Sequence, residues 1–198
     1  MTEAIILDTE TTGFIQPQVI ELAYQVLNND FTEADQGFYC QRFKPSKAIE
    51  EGAFKTHGIN VENLEDMPAC QQLLSHAPKI LSADYIIGHN IDYDINAINE
   101  TTGEKRAFKT ICTKRLAFEI FKNQPSYSLV NLCDSMGTVD YRVIDKAHSA
   151  DADVYMTMKL LQRIVCALKE LTGTDYNADD LFNLYQALPK MAHEDYKK

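Results

Sequence analysis

The sequence predicts an α/β fold in which helices flank a five-stranded mixed sheet, and two features of the chain support this prediction. Three strand-like runs near the N-terminus are joined by short connections, as in an antiparallel meander. After about residue 48 the pattern changes to helical segments that alternate with two further strands. The 198 residues contain no repeat and no convincing linker, so a single layered domain is expected.

Five apolar or β-branched runs are expected to form the strands. The first begins at Ile5 and stops at Gly13, and the second is stopped by an Asn-Asn-Asp sequence that favours a turn. The third ends at a Lys-Pro-Ser sequence. The expected positions of the five strands are residues 5–13, 19–27, 37–43, 85–90 and 108–112.

Helices are predicted between and after these strands. The strongest pattern is a long helix over residues 150–172, whose apolar side chains recur at helical spacing and which Gly173 should end. Between residues 48 and 120, Asn60 and Thr113 are expected as N-caps and Pro68 in the first turn of a helix. Further helical segments are expected from the fourth strand to about residue 99, at 128–136 and at 178–188.

The composition and net charge of the chain argue against several classes of protein. A formal net charge of −10 argues against non-specific wrapping of a nucleic-acid backbone, although an acidic metal site in a nuclease is compatible with it. The five cysteines are scattered and never form a Cys-x-x-Cys pair, so neither a disulfide framework nor a zinc ribbon is expected. Because no apolar run approaches a membrane span and no leader pattern precedes the first strand, we expect a cytoplasmic protein without a membrane anchor.

The end of the first strand carries two carboxylates, Asp8 and Glu10. Strand side chains alternate between faces, so these two residues point to the same side of the sheet. Two neighbouring carboxylates repel, and a fold tolerates them when a hard divalent cation lies between them. The alternative is the wet face of a half-exposed strand, and the strand pattern alone does not decide between the two.

Two more acidic clusters lie where helices are expected to begin. Asp94 falls in the first turn after the fourth strand, where the helix dipole favours a negative group. His148 and Asp153 flank the start of the long helix, and His148 is expected on the entering loop, folded back toward Asp153. Taken singly, these carboxylates would be ordinary helix N-terminal charges and His148 an exposed loop residue.

Together the three segments resemble the signature motifs of an enzyme family. Asp-x-Glu on a first strand, His-Asn-x-x-aromatic-Asp in mid-chain and His-x-x-x-x-Asp late in the chain are similar to the motifs of the DEDDh (DnaQ-like) 3′–5′ exonucleases. The resemblance covers about residues 4–172, and the order of the motifs fits. Within the family, the segments 56–59 and 111–129 resemble the exonuclease X type. An RNase H-like fold is therefore implied.

The resemblance also implies a mechanism. Asp8, Glu10, Asp94 and Asp153 would hold two Mg²⁺ or Mn²⁺ ions, with Asp8 bridging both. His148 would be the general base that deprotonates the attacking water. Imidazole suits this task because it titrates near neutral pH. The implied reaction is phosphodiester hydrolysis at a nucleic-acid 3′ end, which releases nucleoside 5′-monophosphates.

Substrate contacts are implied as well. Thr11, Thr12 and Gly13 would offer hydroxyl and backbone N–H groups to the terminal nucleotide. Phe14 would stack on a base, with a place in the core as the alternative. Asn90 would contact the substrate or support the site.

Two further features of the sequence bear on substrate binding. Tyr93 stands where phenylalanine is commoner in the family, a mild change if its hydroxyl finds water. Five basic residues fall within eleven positions, and they form either a phosphate-tracking patch or a solvated rim: Lys105, Arg106, Lys109, Lys114 and Arg115.

We expect residues 1–173 to form the exonuclease domain and residues 174–198 a short helical extension of it that ends in a charged tail. Single-stranded DNA with a free 3′ end is the favoured substrate. An exoribonuclease that trims RNA 3′ ends, and a non-catalytic module that binds nucleic acid or a polymerase, are the alternatives. The sequence leaves both a monomer and a homodimer open.

Overall fold

The computed structural model describes residues 2–189, and the predicted charged tail after Pro189 lies outside the described residues. The strands are β1 (Ala4–Thr11), β2 (Val19–Leu27), β3 (Glu33–Arg42), β4 (Tyr85–Gly88) and β5 (Thr110–Cys112). The α-helices are α1 (Glu51–His57), α2 (Leu73–His76), α3 (Lys79–Ser82), α4 (Asp92–Thr102), α5 (Thr113–Ile120), α6 (Leu129–Met136), α7 (Tyr141–Ile144), α8 (Ala150–Thr172) and α9 (Ala178–Ala187).

The five strands form one mixed sheet in the order β3-β2-β1-β4-β5. The pairs β1–β2 and β2–β3 are antiparallel, whereas β4 runs parallel to both of its neighbours, β1 and β5. The predicted fold, an antiparallel meander of three strands extended by two parallel strands, is therefore confirmed. It places β1 at the centre of the sheet.

The central position of β1 follows from its sequence. Ile5, Ile6 and Leu7 point alternately to the two faces of the sheet, and all three are fully buried. A strand that is apolar on both faces needs cover on both sides, and the helices α4 and α8 each contact β1. The sheet is thus the middle layer of a layered α/β domain.

The parallel strands bring the acidic motifs together. β1, β4 and β5 run in the same direction, so their C-terminal ends meet at one edge of the sheet. Asp8 and Glu10 lie toward this end of β1, and α4 begins four residues after β4 ends. The direction of the parallel strands is therefore enough to bring Asp8 and Glu10, the first motif, close to the second motif at the start of α4.

Helix α8 has the bounds predicted from its apolar periodicity. Leu160, Leu161 and Ile164 are fully buried on the side that packs against the sheet. Gly173 ends the helix with a positive φ of 73°, and its N–H donates to the carbonyl of Lys169. Because this helix also carries Asp153 in its first turn, its rigid packing fixes that carboxylate relative to β1.

The predicted bounds of four strands were wrong by two to four residues. β1 ends at Thr11 instead of Gly13. β3 begins at Glu33 instead of residue 37, because an edge strand pairs through its backbone and tolerates the polar side chains that hid it in the sequence. β5 begins at Thr110 instead of residue 108. β4 ends at Gly88, since Asn90 has a positive φ of 68° and turns the chain into α4, which continues to Thr102.

The predicted helix starts at Asn60, Pro68 and Thr113 also differ from the structure. Asn60 precedes a 3₁₀ turn and makes no side-chain cap, and Thr113 is the first residue of α5 and donates its hydroxyl to the Gly88 carbonyl. No helix begins at Pro68. The Lys44 N–H donates to the Pro68 carbonyl and the Cys70 N–H donates to the Lys44 carbonyl, and these two hydrogen bonds hold the segment extended. The chain enters a 3₁₀ turn only at Cys70–Gln72.

The described part of the C-terminal extension packs on the same core. Leu181 and Tyr185 of α9 are buried, and Tyr85 of β4 donates a 2.6 Å hydrogen bond to Asp179. The Arg115 guanidinium lies over the Tyr185 ring at 4.5 Å. These contacts tie α9 to the β4–β5 edge of the sheet.

Two expectations from composition concern cysteines and membranes. All five cysteines are unpaired thiols, and Cys70, Cys112 and Cys133 are buried as small apolar side chains. Within residues 2–189, no helix is both long enough and apolar enough to cross a membrane.

Candidate active site

The C-terminal part of β1 presents Asp8 and Glu10 on one face of the sheet. The strand register places Asp8 opposite Ala23 and Glu10 opposite Glu21, and the pairing shifts after Glu10. Glu10 is only 9% exposed. Glu10 is therefore not on a wet strand face, because a solvated carboxylate would keep its hydration, and Asp8 is partly exposed.

Asp153 completes a group of three carboxylates. It lies in the first turn of α8, and one oxygen each from Asp8, Glu10 and Asp153 lies within 4.8 Å of the other two. An all-oxygen set of carboxylates at this spacing matches the ligands that a hard divalent cation prefers. The residues present therefore fit a hard divalent cation.

Asp94 stands slightly apart from this group. It lies in the first turn of α4, as predicted, and is only 4% exposed. Its Oδ1 accepts hydrogen bonds from the backbone N–H of Thr9, at 3.0 Å, and from the Thr9 hydroxyl, at 2.7 Å. One carboxylate oxygen of Asp94 is thus committed to β1, and the other is left for a ligand.

The four carboxylates disturb one another's ionisation. Burial, reinforced by the negative charges of Asp94 and Asp153, holds the pKa of Asp8 well above its ordinary value. Burial and the charges of Asp153, Glu21 and Asp94 raise the pKa of Glu10 to about 9. Burial also raises the pKa of Asp94 and of Asp153, although hydrogen bonds oppose the rise in both. Within the described residues, the four carboxylates therefore lack enough positive charge nearby to stabilise their ionised forms.

His148 lies on the loop that enters α8 and is exposed. Its backbone has a positive φ of 68°, and its N–H donates to Oδ1 of Asp153 at 3.3 Å. The chain therefore folds back toward Asp153, as the sequence predicted. This arrangement leaves the imidazole at the surface beside the carboxylate group.

Glu21 is a fifth buried acid, and it supports the start of α8. One carboxylate oxygen accepts from the Ala150 N–H at 3.0 Å, and the other accepts from Nε of Arg42 at 2.7 Å. Ala150 is the first residue of α8, so this contact fixes the helix that carries Asp153. The sequence offered a signal for this role, since Glu21 interrupts an otherwise apolar strand.

A small cavity of about 150 Å³ opens beside Glu10. Thr11, Gly13, Phe14 and Tyr93 line it together with His57 of α1. Phe14 is 83% exposed, which excludes the alternative that it belongs to the core, and its ring meets Tyr93 edge-on at 5.8 Å. The cavity therefore has aromatic walls next to the carboxylates.

Thr11 is held from two sides within this cavity. Its hydroxyl lies 2.6 Å from the Tyr93 hydroxyl, which also donates to the Gly13 carbonyl at 3.2 Å. The Thr11 carbonyl accepts from Nε2 of His57 at 3.2 Å, and Nδ1 of His57 accepts from the Ile59 N–H. The Tyr93 hydroxyl thus has protein partners, the Thr11 hydroxyl and the Gly13 carbonyl.

Thr12 does not face the cavity, contrary to the prediction that it offers its groups to the substrate. It is fully buried, its N–H donates to the Gln18 carbonyl, and its hydroxyl accepts from the Gln18 N–H. Its carbonyl accepts from the N–H of Glu50. The Glu50 carboxylate sits directly against Gly13, whose φ of 144° and lack of a side chain allow this approach.

The two residues of the second motif that precede α4 have different surroundings. His89 is held by the Thr113 hydroxyl at 3.0 Å and by the Tyr127 carbonyl at 2.9 Å, and burial lowers the pKa of His89 to about 4. It is a neutral structural residue. Asn90 is exposed at the end of β4, and its positive φ makes the turn into α4.

The basic stretch does not form a phosphate-tracking patch beside the carboxylates. Lys105, Arg106 and Lys109 precede β5 and so lie at the opposite end of the parallel strands from Asp8. Arg106 pairs with Glu104, and Lys109 lies over the Tyr85 ring at 5.3 Å. Arg115 donates to main-chain carbonyls that follow α9, and Lys114 is largely buried.

Comparison with known proteins agrees with this geometry. The family model for RNase T, described as an exonuclease family, matches residues 5–161. The chain belongs to this exonuclease family. It is therefore a nuclease of the DnaQ-like 3′–5′ exonuclease group, and the resemblance that the motifs suggested is confirmed.

Relatives within the family are similar over most of the chain. The DNA polymerase III subunit epsilon of Buchnera aphidicola (subspecies Acyrthosiphon pisum) is 31% identical over 175 residues, covering 79% of this exonuclease and 70% of the relative. The corresponding subunit of Aquifex aeolicus is 26% identical over 190 residues, covering 91% and 87%.

Solved structures show the same fold. Exonuclease X in complex with 5′-overhanging duplex DNA superimposes with a TM-score of 0.71 at 21% identity, covering 92% of this exonuclease and 99% of that chain. Escherichia coli exonuclease I in complex with a dT13 oligonucleotide gives a TM-score of 0.72 at 15% identity, covering 87% and 43%. The predicted RNase H-like architecture is confirmed.

We expect the metal-free protein to lose stability as the pH rises from about 5 to 9. The raised pKa of Glu10 means that the folded state keeps a proton that the unfolded chain has already released, so the free energy of unfolding falls across this range. Mg²⁺ at a hundredfold excess over its Kd should add about 2.7 kcal/mol to the free energy of unfolding, which corresponds to roughly 5–10 °C in Tm. At a fixed Mg²⁺ concentration this stabilisation should be larger at pH 8 than at pH 5, because the ligands are more fully deprotonated. Thermal melts in chelator and in Mg²⁺ measure both effects.

The Glu10→Gln variant provides the control for this prediction, because it should flatten the pH dependence in chelator. Asp134→Asn changes an exposed acid on α6 and should leave the dependence as it is. A Tm in chelator that rises steadily from pH 5 to pH 9 would contradict the prediction.

Thr9→Val should weaken metal binding without unfolding the protein. The substitution keeps the shape of the side chain but removes the hydroxyl donor to Asp94, so the Asp94 carboxylate is less stabilised in its charged form. A lost hydrogen bond of about 1 kcal/mol corresponds to roughly fivefold in the Mg²⁺ concentration that gives half-maximal stabilisation. Thr9→Ser retains the hydroxyl and should bind as the wild type does; equal weakening in both variants would refute the role of this hydrogen bond.

Proposed function

We propose that this exonuclease is a 3′ to 5′ exodeoxyribonuclease that hydrolyses phosphodiester bonds at DNA 3′ ends by a two-metal mechanism and releases nucleoside 5′-monophosphates. The observation that carries the proposal is the group of Asp8, Glu10 and Asp153 oxygens within 4.8 Å, at the mouth of a small cavity. Partly or fully buried carboxylates at this spacing are stable together only when a cation or protons neutralise them.

Asp8, Glu10 and Asp153, with the second oxygen of Asp94, would hold two Mg²⁺ or Mn²⁺ ions. Bound divalent ions supply charge that activates water and stabilises a leaving oxygen. The protein's part is to fix the ligands before any metal arrives. Thr9 orients Asp94, the His148 N–H orients Asp153, and the buried run of β1 positions Asp8 and Glu10.

His148 would act as the general base. Its exposed position beside Asp153 leaves the imidazole free to accept a proton from the attacking water and to pass it to solvent. The positive φ of His148 supports this role, because a strained backbone at an acidic group is typical of functional residues. Without a base, hydrolysis should slow by about 10²- to 10⁴-fold.

The cavity beside Glu10 would receive the terminal nucleotide. The backbone of Thr11 and Gly13 forms its floor, and the exposed Phe14 ring offers a stacking surface for a base. Asn90, exposed at the end of β4, would contact the strand from the α4 side. Thr12 has no part in this binding, since it is fully buried.

DNA is proposed as the substrate because the structurally similar exonucleases X and I are described in complex with DNA. A single strand is favoured because the cavity of about 150 Å³ has room for little more than part of one nucleotide. The negative charge of the whole chain, −10, favours weak and distributive binding with a shallow salt dependence.

We expect 5′-labelled single-stranded DNA to be shortened from its 3′ end in Mg²⁺ and to stay intact in chelator. Asp8→Asn and His148→Ala should each lose at least about a hundredfold in kcat, since one removes a metal ligand and the other the base. Asp151→Asn and His76→Ala are the matched controls and should keep their activity. Product chromatography would identify nucleoside 5′-monophosphates.

The same assay with 5′-labelled RNA tests the choice of substrate. Shortening of RNA alone would identify an exoribonuclease instead. Full activity in chelator, or in either Asp8→Asn or His148→Ala, would refute the two-metal mechanism. If neither strand is shortened but labelled DNA still binds, the chain is a non-catalytic nucleic-acid-binding module.

A further inference from the structure

Three charged side chains form a row across the N-terminal meander. The register pairs Glu10 on β1 with Glu21 on β2, and Glu21 with Arg42 on β3. Residues directly opposite one another in antiparallel strands point to the same face of the sheet. Arg42 therefore projects from the face that carries the carboxylate group, two strand spacings, or about 10 Å, from β1.

Arg42 is held at one nitrogen only. Its Nε donates to Glu21 at 2.7 Å, and its side chain is 42% exposed, whereas that of Glu21 is 5% exposed. Within residues 2–189, the two terminal nitrogens of Arg42 have no hydrogen-bond partner. Glu21 thus fixes the orientation of the guanidinium at Nε, and the two terminal nitrogens remain available to a ligand.

The strand register places Arg42 on the face of the sheet that carries Glu10, which lines the substrate cavity. Burial lowers the pKa of His57, whose ring lines the same cavity, and the positive charge of Arg42 acts in the same direction to a smaller extent. Helix α8 closes the other side, because Glu21 also accepts from the Ala150 N–H at its start. Arg42 therefore lies on the site's face of the sheet, beside the Glu21 carboxylate that fixes the start of α8.

Three other basic side chains close in sequence to the site are occupied. The Nζ of Lys47 donates to the carbonyls of Ile15 and Gln16 at 2.6 and 2.8 Å, and the Nζ of Lys44 donates to the Glu65 carbonyl at 3.0 Å. Lys55 pairs with Glu51. The basic stretch before β5 lies at the far end of the sheet, and Lys146, on the loop before His148, is exposed. Arg42 differs from Lys146 because a buried carboxylate, Glu21, holds its guanidinium in a fixed orientation on this face.

We propose that Arg42 is a substrate-binding residue that holds a backbone phosphate of the nucleic-acid strand, and that Glu21 is the positioning residue that orients its guanidinium. The inference rests on the proposed function, because it requires a nucleic acid in the cavity. The planar guanidinium suits this task, since its two terminal nitrogens can donate in parallel to two phosphate oxygens while Nε remains bound to Glu21.

The position of Arg42 predicts a particular kinetic effect. Because Glu21 stands between Arg42 and the carboxylate group in this row, the phosphate that Arg42 binds would not be the one being cleaved. Arg42 therefore contributes equally to the substrate complex and to the transition state, and its loss should raise KM and leave kcat nearly unchanged.

The test compares Arg42→Gln with the wild type on 5′-labelled oligothymidylate at several NaCl concentrations. We expect KM to rise roughly tenfold, the scale of one lost charge-assisted hydrogen bond, with kcat changed by less than about twofold. The slope of log KM against log [NaCl] should decrease by about 0.7, the contribution of one phosphate contact on a single strand. Arg106→Gln, which removes an arginine paired with Glu104 at the far end of the sheet, should leave KM and slope unchanged.

Because Arg42→Gln leaves Glu21 buried without its partner, the double variant Glu21→Gln/Arg42→Gln is measured as well. It removes both charges and keeps an amide oxygen as acceptor for the Ala150 N–H, so Tm should return toward that of the wild type. If Arg42 binds phosphate, the raised KM and reduced slope persist in the double variant. Restoration of both to wild-type values would show that Arg42 only neutralises Glu21, and would overturn the proposal.

Fluorescence anisotropy of a labelled oligothymidylate, measured in the His148→Ala background, separates failure of this inference from failure of the proposed function. A wild type that shortens no strand would refute the proposed nuclease activity, while the anisotropy titrations would still report the Arg42 contact. Equal affinity and equal salt slope with and without Arg42 would refute the contact, whatever the activity.

Discussion

Mutual repulsion among buried carboxylates is the constraint on which the rest of this structure depends. Asp8, Glu10, Asp94 and Asp153 meet at the C-terminal end of the central strand, where burial has removed the water that would otherwise separate their charges. In a medium of low effective dielectric constant such a set is costly unless protons or cations neutralise it. The surrounding fold must therefore be stable enough to hold the four groups together in the absence of a metal, and the two apolar faces of β1 supply that stability.

The protein reduces the repulsion mainly with neutral donors. Thr9 donates twice to Asp94, the backbone N–H of His148 donates to Asp153, and Asp94 and Asp153 lie in the first turns of helices, where the dipole favours a negative group. Hydrogen bonds of this kind fix each carboxylate in place and lower its pKa somewhat without replacing its negative charge. The ligands are consequently oriented in advance, while the charge deficit that attracts a divalent cation persists.

The sequence predicts the metal-binding part of the site well and its supporting part poorly. Strand periodicity places Asp8 and Glu10 on one face, and the helix starts place Asp94 and Asp153, because each of these inferences needs only local geometry. Thr9, Glu21, Tyr93 and Arg42 act through partners that are 21 to 129 residues away in the chain. Such pairs depend on strand register and on helix docking, which no local pattern encodes. The basic stretch from Lys105 did not indicate a phosphate-binding surface for the same reason, since strand direction puts it at the other end of the sheet.

The separation between Arg42 and the carboxylates follows from these electrostatics. A guanidinium next to Asp8 or Glu10 would pair with them, lower their pKa and occupy the place of the cation that they are arranged to hold. With Glu21 between them in the row, Arg42 is engaged by a carboxylate that is not a proposed metal ligand, and its backbone lies about two strand spacings from β1. Negative charge for metal and positive charge for phosphate then coexist on one face without cancelling each other. On this view Glu21 has a double role: it fastens the start of α8, and it keeps Arg42 out of the carboxylate group.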